Sequence, residues 1–407
     1  MNSRKLFVFF VFLASAMMVE AKAEGTYRIY FDADQVLGAS SADAIYQGVD
    51  AAFAQAGHKL GKRAVEFVRL NHRGNPKRSW LNLTKALADE NSLAVIGGVH
   101  SPPYITYRDK INASGVVLLL PWSAGAPITR AIGDRNSIFR VSVDDSKAGA
   151  FLAEQVLATE ACKSVVFLVW NSGWGRSNLP HLEKAFSATG RDVPQHFLFD
   201  TGLGESGAQV IVDNVQKLNA DCMIIVGNLA EEALLLNELH ASGVKIQVFS
   251  HWGILLGDFV DRVPAEVRNY LDFQFIQTCA LQQEAAGNPV LKDIFETPPI
   301  AALEGKSELS DIPSAVGFAN AYDLASLLIE AGQALPEEGG IGQHRQQLVQ
   351  ALQGLEQPVD GILKRYVRPF SKYSPDNPDA HEALGREDLC MARFTDDNRV
   401  AIAAAKK

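Results

Sequence analysis

Apolar residues in this chain fall in short continuous runs separated by amphipathic stretches. The clearest case is Leu93–Arg130, LAVIGGVHSPPYITYRDKINASGVVLLLPWSAGAPITR. An apolar run, Leu93–Ile96, stops at Gly97-Gly98, and Ser101 with two prolines leads into a helix-like segment. Gly115 breaks that segment, and a second run, Val116–Leu120, ends at Pro121. Runs that do not alternate mark parallel strands buried on both faces. The unit is strand–helix–strand with a polar turn after each strand. In such sheets small ligands bind beyond the carboxyl ends of the strands. Those ends here carry His100-Ser101 and Trp122-Ser123.

The same alternation runs through most of the chain. Strands are predicted at Tyr27–Phe31, Ala64–Leu70 and Ile138–Val141, with helices at Ala42–Ala56 and Trp80–Asp89. A second series starts at Lys147. Its helices are Ala148–Ala158, Asn178–Thr189, Ala208–Leu218 and Glu231–Ala241, and its strands are Val165–Trp170, His196–Phe199, Met223–Val226 and Gln247–Ser250. Repeated βαβ units imply parallel sheets covered by helices. Two series suggest two similar α/β lobes. The end of the chain differs: a strand-like Leu271–Thr278, helices Ser314–Ala331 and His344–Leu355, then a Pro-, Asp- and Ser-rich loop before Asp388–Phe394. The chain is thus expected to visit both lobes again.

The first 23 residues read as a cleavable secretory signal. Arg4 and Lys5 precede an apolar core of about fourteen residues, Leu6–Val19, and Ala21-Lys22-Ala23 precedes Glu24. The core is too short for a comfortable membrane span. About 384 residues remain, too many for one compact core. Removing three basic residues and one acid moves the formal charge from −9 to about −11. An acidic chain is a poor nucleic-acid binder. Cys162, Cys222, Cys279 and Cys390 match no zinc spacing, and an exported protein permits disulfides, but spacing cannot pair them.

Catalytic and metal patterns are missing. The sequence has no HExxH, GxSxG or Walker pattern, and Gly97-Gly98 does not form a GxGxxG fingerprint. His100 and His251 sit just beyond strands, where a structural or surface role outweighs a ligand role for each; His100 stays a candidate contact beside Ser101. Tryptophan placement is more telling: Trp122, Trp174 and Trp252 fall in turns after strands, Trp170 ends a strand and Trp80 starts a helix. Indoles in a cleft supply flat apolar walls with one polar handle each, though turn indoles also cap a lobe's own core. Ser101 and Ser123 are small, polar and past strands, where backbone N–H groups bind anions and where serine also serves as a plain N-cap. Asn171–Asn178 reads as a polar loop able to close over a ligand; Arg176 in it reads as solvated. Asn228 contacts a ligand or satisfies its turn.

Three stretches carry a family resemblance: AVIGGVHSPPYITYRDKINASGVVLLLPWSAGAPIT, VVFLVWNSGWGRSN and SAVGFANAYDLASLLIEAG. With them the chain resembles the type I periplasmic binding proteins, the leucine/isoleucine/valine-binding group of ABC-transporter receptors, from Gly25 to about Val400. The resemblance implies two doubly wound parallel-sheet α/β lobes joined by three crossings, near Val141–Asp145, Phe273–Thr278 and Tyr366–Phe370. Lobe 1 would comprise residues 24–142 and 279–366, and lobe 2 residues 143–278 and 367–407. It implies ligand-carboxylate contacts at Ser101 and Ser123-Ala124, an aromatic cover at Trp174 and a contact at Gly227-Asn228. One departure stands out. Trp252 occupies the place of the acid that meets an amino acid's ammonium in this group. A buried ammonium without a counter-charge is costly, so either Asp258 or another acid supplies it or the ligand lacks that group.

The resemblance therefore implies a monomeric, non-enzymatic periplasmic receptor without cofactor or metal. Its ligand would be amino-acid-like, or an aromatic or apolar carboxylate or amide. Lobe closure would present it to an ABC permease, or else to a membrane kinase or chemoreceptor.

Overall fold

The computed structural model describes residues 25–403 except 37, 131–134, 257 and 283–286. The predicted signal, residues 1–23, lies outside the described residues. The first sheet takes strands β1 (Tyr27–Ala33), β2 (Lys59–Leu60), β3 (Arg63–Asn71), β4 (Ser92–Gly97), β5 (Leu118–Leu120) and β6 (Ile138–Arg140), in the order β2-β3-β1-β4-β5-β6. All its pairings are parallel except the β2–β3 hairpin. Every residue of β4 and β5 is buried, as the continuous runs require. The chain passes from β1 to β3 on one side and then to β4 on the other. That reversal is a switch point, where a doubly wound sheet opens a crevice.

The second sheet takes β7 (Val165–Trp170), β8 (Gln195–Phe199), β9 (Cys222–Val226), β10 (Gln247–Ser250) and β11 (Gln274–Thr278). After a small hairpin, β12 (Val359–Asp360) with β13 (Arg365–Tyr366), it is completed by β14 (Leu389–Phe394) and β15 (Val400–Ile402). Its order is β15-β14-β11-β10-β9-β7-β8, with a second switch point between β7 and β9. The two strands added at the chain's end run antiparallel.

Helices α1 (Ala39–Gln55), α2 (Pro76–Ala88) and α3 (Pro102–Ser114) follow strands of the first sheet. Helices α4 (Asp145–Ala158), α5 (Gly173–Ala188), α6 (Glu205–Leu218), α7 (Leu229–Ala241), α8 (Phe259–Arg262) and α9 (Ala265–Tyr270) accompany the second. Next come α10 (Pro289–Glu296), α11 (Ala315–Gly332) and α12 (Ile341–Gln353). α11 returns to the first half and packs along α1. The contact is close because Gly48 faces it: a Cβ there would meet the Phe318 carbonyl oxygen at 2.2 Å.

Two local features differ from the sequence expectation, and a third resolves what the sequence left open. α5 begins at Gly173, because the Ser172 hydroxyl accepts from the Gly175 N–H at 3.1 Å and caps it. Most of the expected loop Asn171–Asn178 is thus the helix's first turns, and Arg176 turns aside to donate to Asn171 Oδ1. The segment after β13 does not go straight to the second sheet. His381 stacks on Phe139 at 3.9 Å, and Arg140 exchanges backbone hydrogen bonds with His381 and Ala383 beside β6. This segment thus packs beside β6 before the chain enters the second sheet, and its polar, aperiodic sequence carries no strand signal. Finally, Cys162 and Cys222 form a disulfide, while Cys279 and Cys390 are free thiols hydrogen-bonded to each other.

Candidate functional site

The strand ends of the two sheets face one another across a small cavity. Val99, His100, Ser101, Pro102, Trp122 and Ala124 form the wall from the first sheet. Trp170, Trp174, Asn228, Trp252 and Gly253 form the wall from the second. Both sets lie at or just beyond strand ends next to the switch points, those of β4 and β5 on one side and of β7, β9 and β10 on the other. Gly253 has to lack a side chain: a Cβ there would meet the Gly227 carbonyl oxygen at 2.0 Å and Trp174 Cη2 at 3.0 Å.

Seven of the eight residues singled out in the sequence line this cavity: His100, Ser101, Trp122, Ala124, Trp174, Asn228 and Trp252. Ser123 does not. Its hydroxyl turns inward and donates to the Gly98 carbonyl at 2.6 Å, which ties the β5 turn to the β4 turn. Ser101 Oγ accepts the Gly125 N–H at 3.0 Å, which leaves its own proton for a ligand. The anion site expected at the start of α3 is poorer than the serine suggests. Pro102 and Pro103 have no N–H, and the N–H groups of Tyr104 and Ile105 are both taken by the Ser101 carbonyl. Asn228 is the N-cap residue of α7, yet its side chain makes no capping bond.

Sequence reasoning left Trp170 and Asp145 out of the site. Trp170 is the last residue of β7, so its indole projects at the strand's open end; its Nε1–H donates to Thr201 Oγ1 at 3.1 Å. Its ring packs edge-on against Trp174, centroids 6.2 Å apart. Asp145 opens α4 directly behind the wall and is wholly buried. Its carboxylate accepts Trp174 Nε1–H at 2.9 Å and Ser177 Oγ–H at 2.9 Å, and His251 Nε2 lies 3.6 Å away. Burial pushes the Asp145 acid up to about 7, and burial pushes His251 down to about 3. The only signal for Asp145 in the sequence was an acid pair at a helix start. Asp144 behaves oppositely: burial would raise it, but Arg140, Arg130 and Lys147 outweigh burial and hold it well below the usual carboxylate range.

No carboxylate, Lys or Arg lines the cavity among the described residues, and His100 is its one titratable side chain. Asp258, considered as a counter-charge for Trp252's position, is exposed and pairs with Arg262 at 3.0 Å. Glu232 lies behind the wall, wholly buried against the Ser250 hydroxyl, and burial holds its acid well above the ordinary range. Among the described residues no cluster of side chains fit to hold a metal ion occurs. The arrangement can enclose a small, flat, largely apolar molecule and offer it hydroxyl, amide and imidazole contacts. Its described lining presents no carboxylate to a cation, and the buried Asp34 stands behind His100, 3.4 Å from its Nε2.

A family model described as periplasmic binding protein matches residues 34–269. Solved structures share the fold across nearly the whole chain. A type 1 periplasmic binding protein from Bordetella pertussis superposes with a TM-score of 0.74 at 16% identity, covering 93% of this chain and 99% of that one. A leucine-binding protein from Thermotoga maritima does so at 0.69 and 18%, covering 93% and 98%. An ABC-transporter solute-binding protein from R. palustris, in complex with benzoate, does so at 0.71 and 17%, covering 93% and 95%. No curated protein sequence matches the chain.

Proposed function

The chain belongs to the periplasmic binding protein family, and from that premise we propose that its cleft captures a small carboxylate with an aromatic or apolar body and delivers it to an ABC permease. The family's role is substrate binding in the periplasm, and the relatives described above are solute-binding proteins rather than enzymes. No helix among the described residues is long and apolar enough to cross a membrane.

One observation carries the ligand class: four tryptophans line a cavity whose wall, among the described residues, holds no carboxylate. An α-ammonium enclosed there would lose its hydration without a counter-charge, at a cost of several kcal/mol. An aromatic acid places its ring among the indoles and its carboxylate toward the Ser101 hydroxyl and the His100 imidazole, the polar groups at that end of the wall. The benzoate-bound relative shows that the fold holds such a molecule, and the leucine-binding relative that it also serves amino acids. Walls from both sheets mean that closing the lobes completes the site, so ligand favours the closed form by its differential affinity. Export follows the predicted signal, with the mature chain starting at Glu24; its intact mass tests this. The function is tested by identifying the ligand retained on purification by mass spectrometry, then by calorimetry, with affinity of about micromolar or tighter expected.

A further inference from the structure

A second, smaller cavity lies beside the first and shares two walls with it, Trp122 and Trp252. Its floor is built from both halves of the fold. Gln277 comes from β11, where its backbone pairs with Cys390, and Asn320 comes from the first turns of α11. Both residues are almost wholly buried, 3% and 1% exposed. Asn320 Nδ2 donates to the Pro121 carbonyl at 2.8 Å, which fixes the orientation of its amide. Its Oδ1 then has no partner within the protein, and neither has Gln277 Nε2. One acceptor and one donor, both buried and both unpaired, thus border one small space. A buried polar atom left unmade costs about 1–3 kcal/mol. Two at one place point to a missing partner that both donates and accepts. A hydroxyl does both.

Accordingly, we infer that this second cavity is the distal subsite of the same ligand, reached between Trp122 and Trp252, and that Gln277 and Asn320 receive a hydroxyl at the end remote from Ser101. This rests on the proposed capture of an aromatic acid and narrows it to a hydroxylated one. Ser142, which also lines this cavity, holds the shared wall by donating its hydroxyl to the Trp122 carbonyl at 3.0 Å.

The test is calorimetry on the exported chain with two matched pairs: benzoate against 4-hydroxybenzoate, and phenylacetate against 4-hydroxyphenylacetate. Two lengths are used so that the reach to the subsite is not presumed. The hydroxylated member of at least one pair should bind about tenfold or more tightly, and Gln277→Leu should bring that pair to within about threefold. Asn320→Leu should do the same; Gln277→Leu stands alone if loss of the Pro121 tie prevents folding. Equal affinities within both pairs, with binding intact, would overturn the subsite and spare the aromatic-acid reading. Binding of none of the four acids would overturn that reading, and the subsite with it.

Discussion

The indole N–H of Trp174 donates to Asp145 at 2.9 Å, and the backbone N–H of Asp145 donates to the Ala124 carbonyl at 2.9 Å. One buried acid therefore ties a cavity wall of the second sheet to a turn of the first. Trp174 is held as a fixed wall, where the sequence had suggested a residue on a loop. Trp174→Ala should weaken the ligand by about 100-fold, since it removes both the ring and its tie. Trp174→Phe keeps an apolar ring and should lose less. Calorimetry with the co-purified ligand measures both, and unchanged affinity in Trp174→Ala would remove that residue from the site.

Asp145 also gives a pH signature. Its folded-state acid is raised to about 7 by burial, from an ordinary value near 4. Between those values the folded chain holds a proton that the unfolded chain releases. This contribution to stability is fully present below about pH 4 and is lost as pH rises through about 7. Asp145→Asn mimics the protonated acid at every pH. Wild type and variant should match near pH 4, and wild type should fall behind by up to about 4 kcal/mol above pH 7. Urea midpoints at several pH values read the difference, and comparing the two chains cancels the titration of His72 and His381, buried histidines on which Asp145 does not act. A gap that does not change with pH would show that Asp145 titrates normally.

Arg140 sets the other wall. Wholly buried, it pairs with Glu382 at 2.6 Å and donates to the carbonyls of Ser123 and Gly125 at 3.1 and 3.0 Å. It therefore holds the turn that carries Trp122 and Ala124. Removing one member of a buried pair strands the other, so Glu382→Ala should destabilise by about 3–5 kcal/mol. Arg140→Met removes the guanidinium's hold on the turn and should also weaken ligand. Thermal and chemical unfolding test the first, and calorimetry on folded protein the second.

The disulfide joins Cys162 to Cys222, 60 positions apart, at the foot of β7 and β9. By the chain-entropy model, opening a loop of this size costs about 4 kcal/mol. The double variant Cys162→Ala, Cys222→Ala should lose about 2–4 kcal/mol in urea unfolding and keep its ligand, because neither residue lines the cavity.

Much of this was legible because parallel strands buried on both faces write themselves as unbroken apolar runs. Val165–Trp170 and Gln247–Ser250 are found at the predicted bounds, and the strand ends named His100, Ser101, Trp122 and Trp252 by position alone. What stayed hidden depends on tertiary context. Ser172 turns a loop-like GWGRS into helix. Asp145 looks like any first-turn acid until Trp174 and His251 are packed over it. Ser123 looks like Ser101 until its hydroxyl is seen bound to Gly98. Residues beside β6 near His381 have no apolar period, because backbone bonds to Arg140, the buried Arg140–Glu382 pair and a stacked ring hold them.

The central claim is that the cleft accepts a carboxylate and excludes an α-ammonium. It is tested most directly by calorimetric titration with acids differing only in that group: 3-phenylpropionate against phenylalanine, and 4-methylpentanoate against leucine. The expected result is tighter binding of the acid that lacks the ammonium, by about 100-fold or more in the pair that fits. Tighter binding of phenylalanine or leucine would contradict the account.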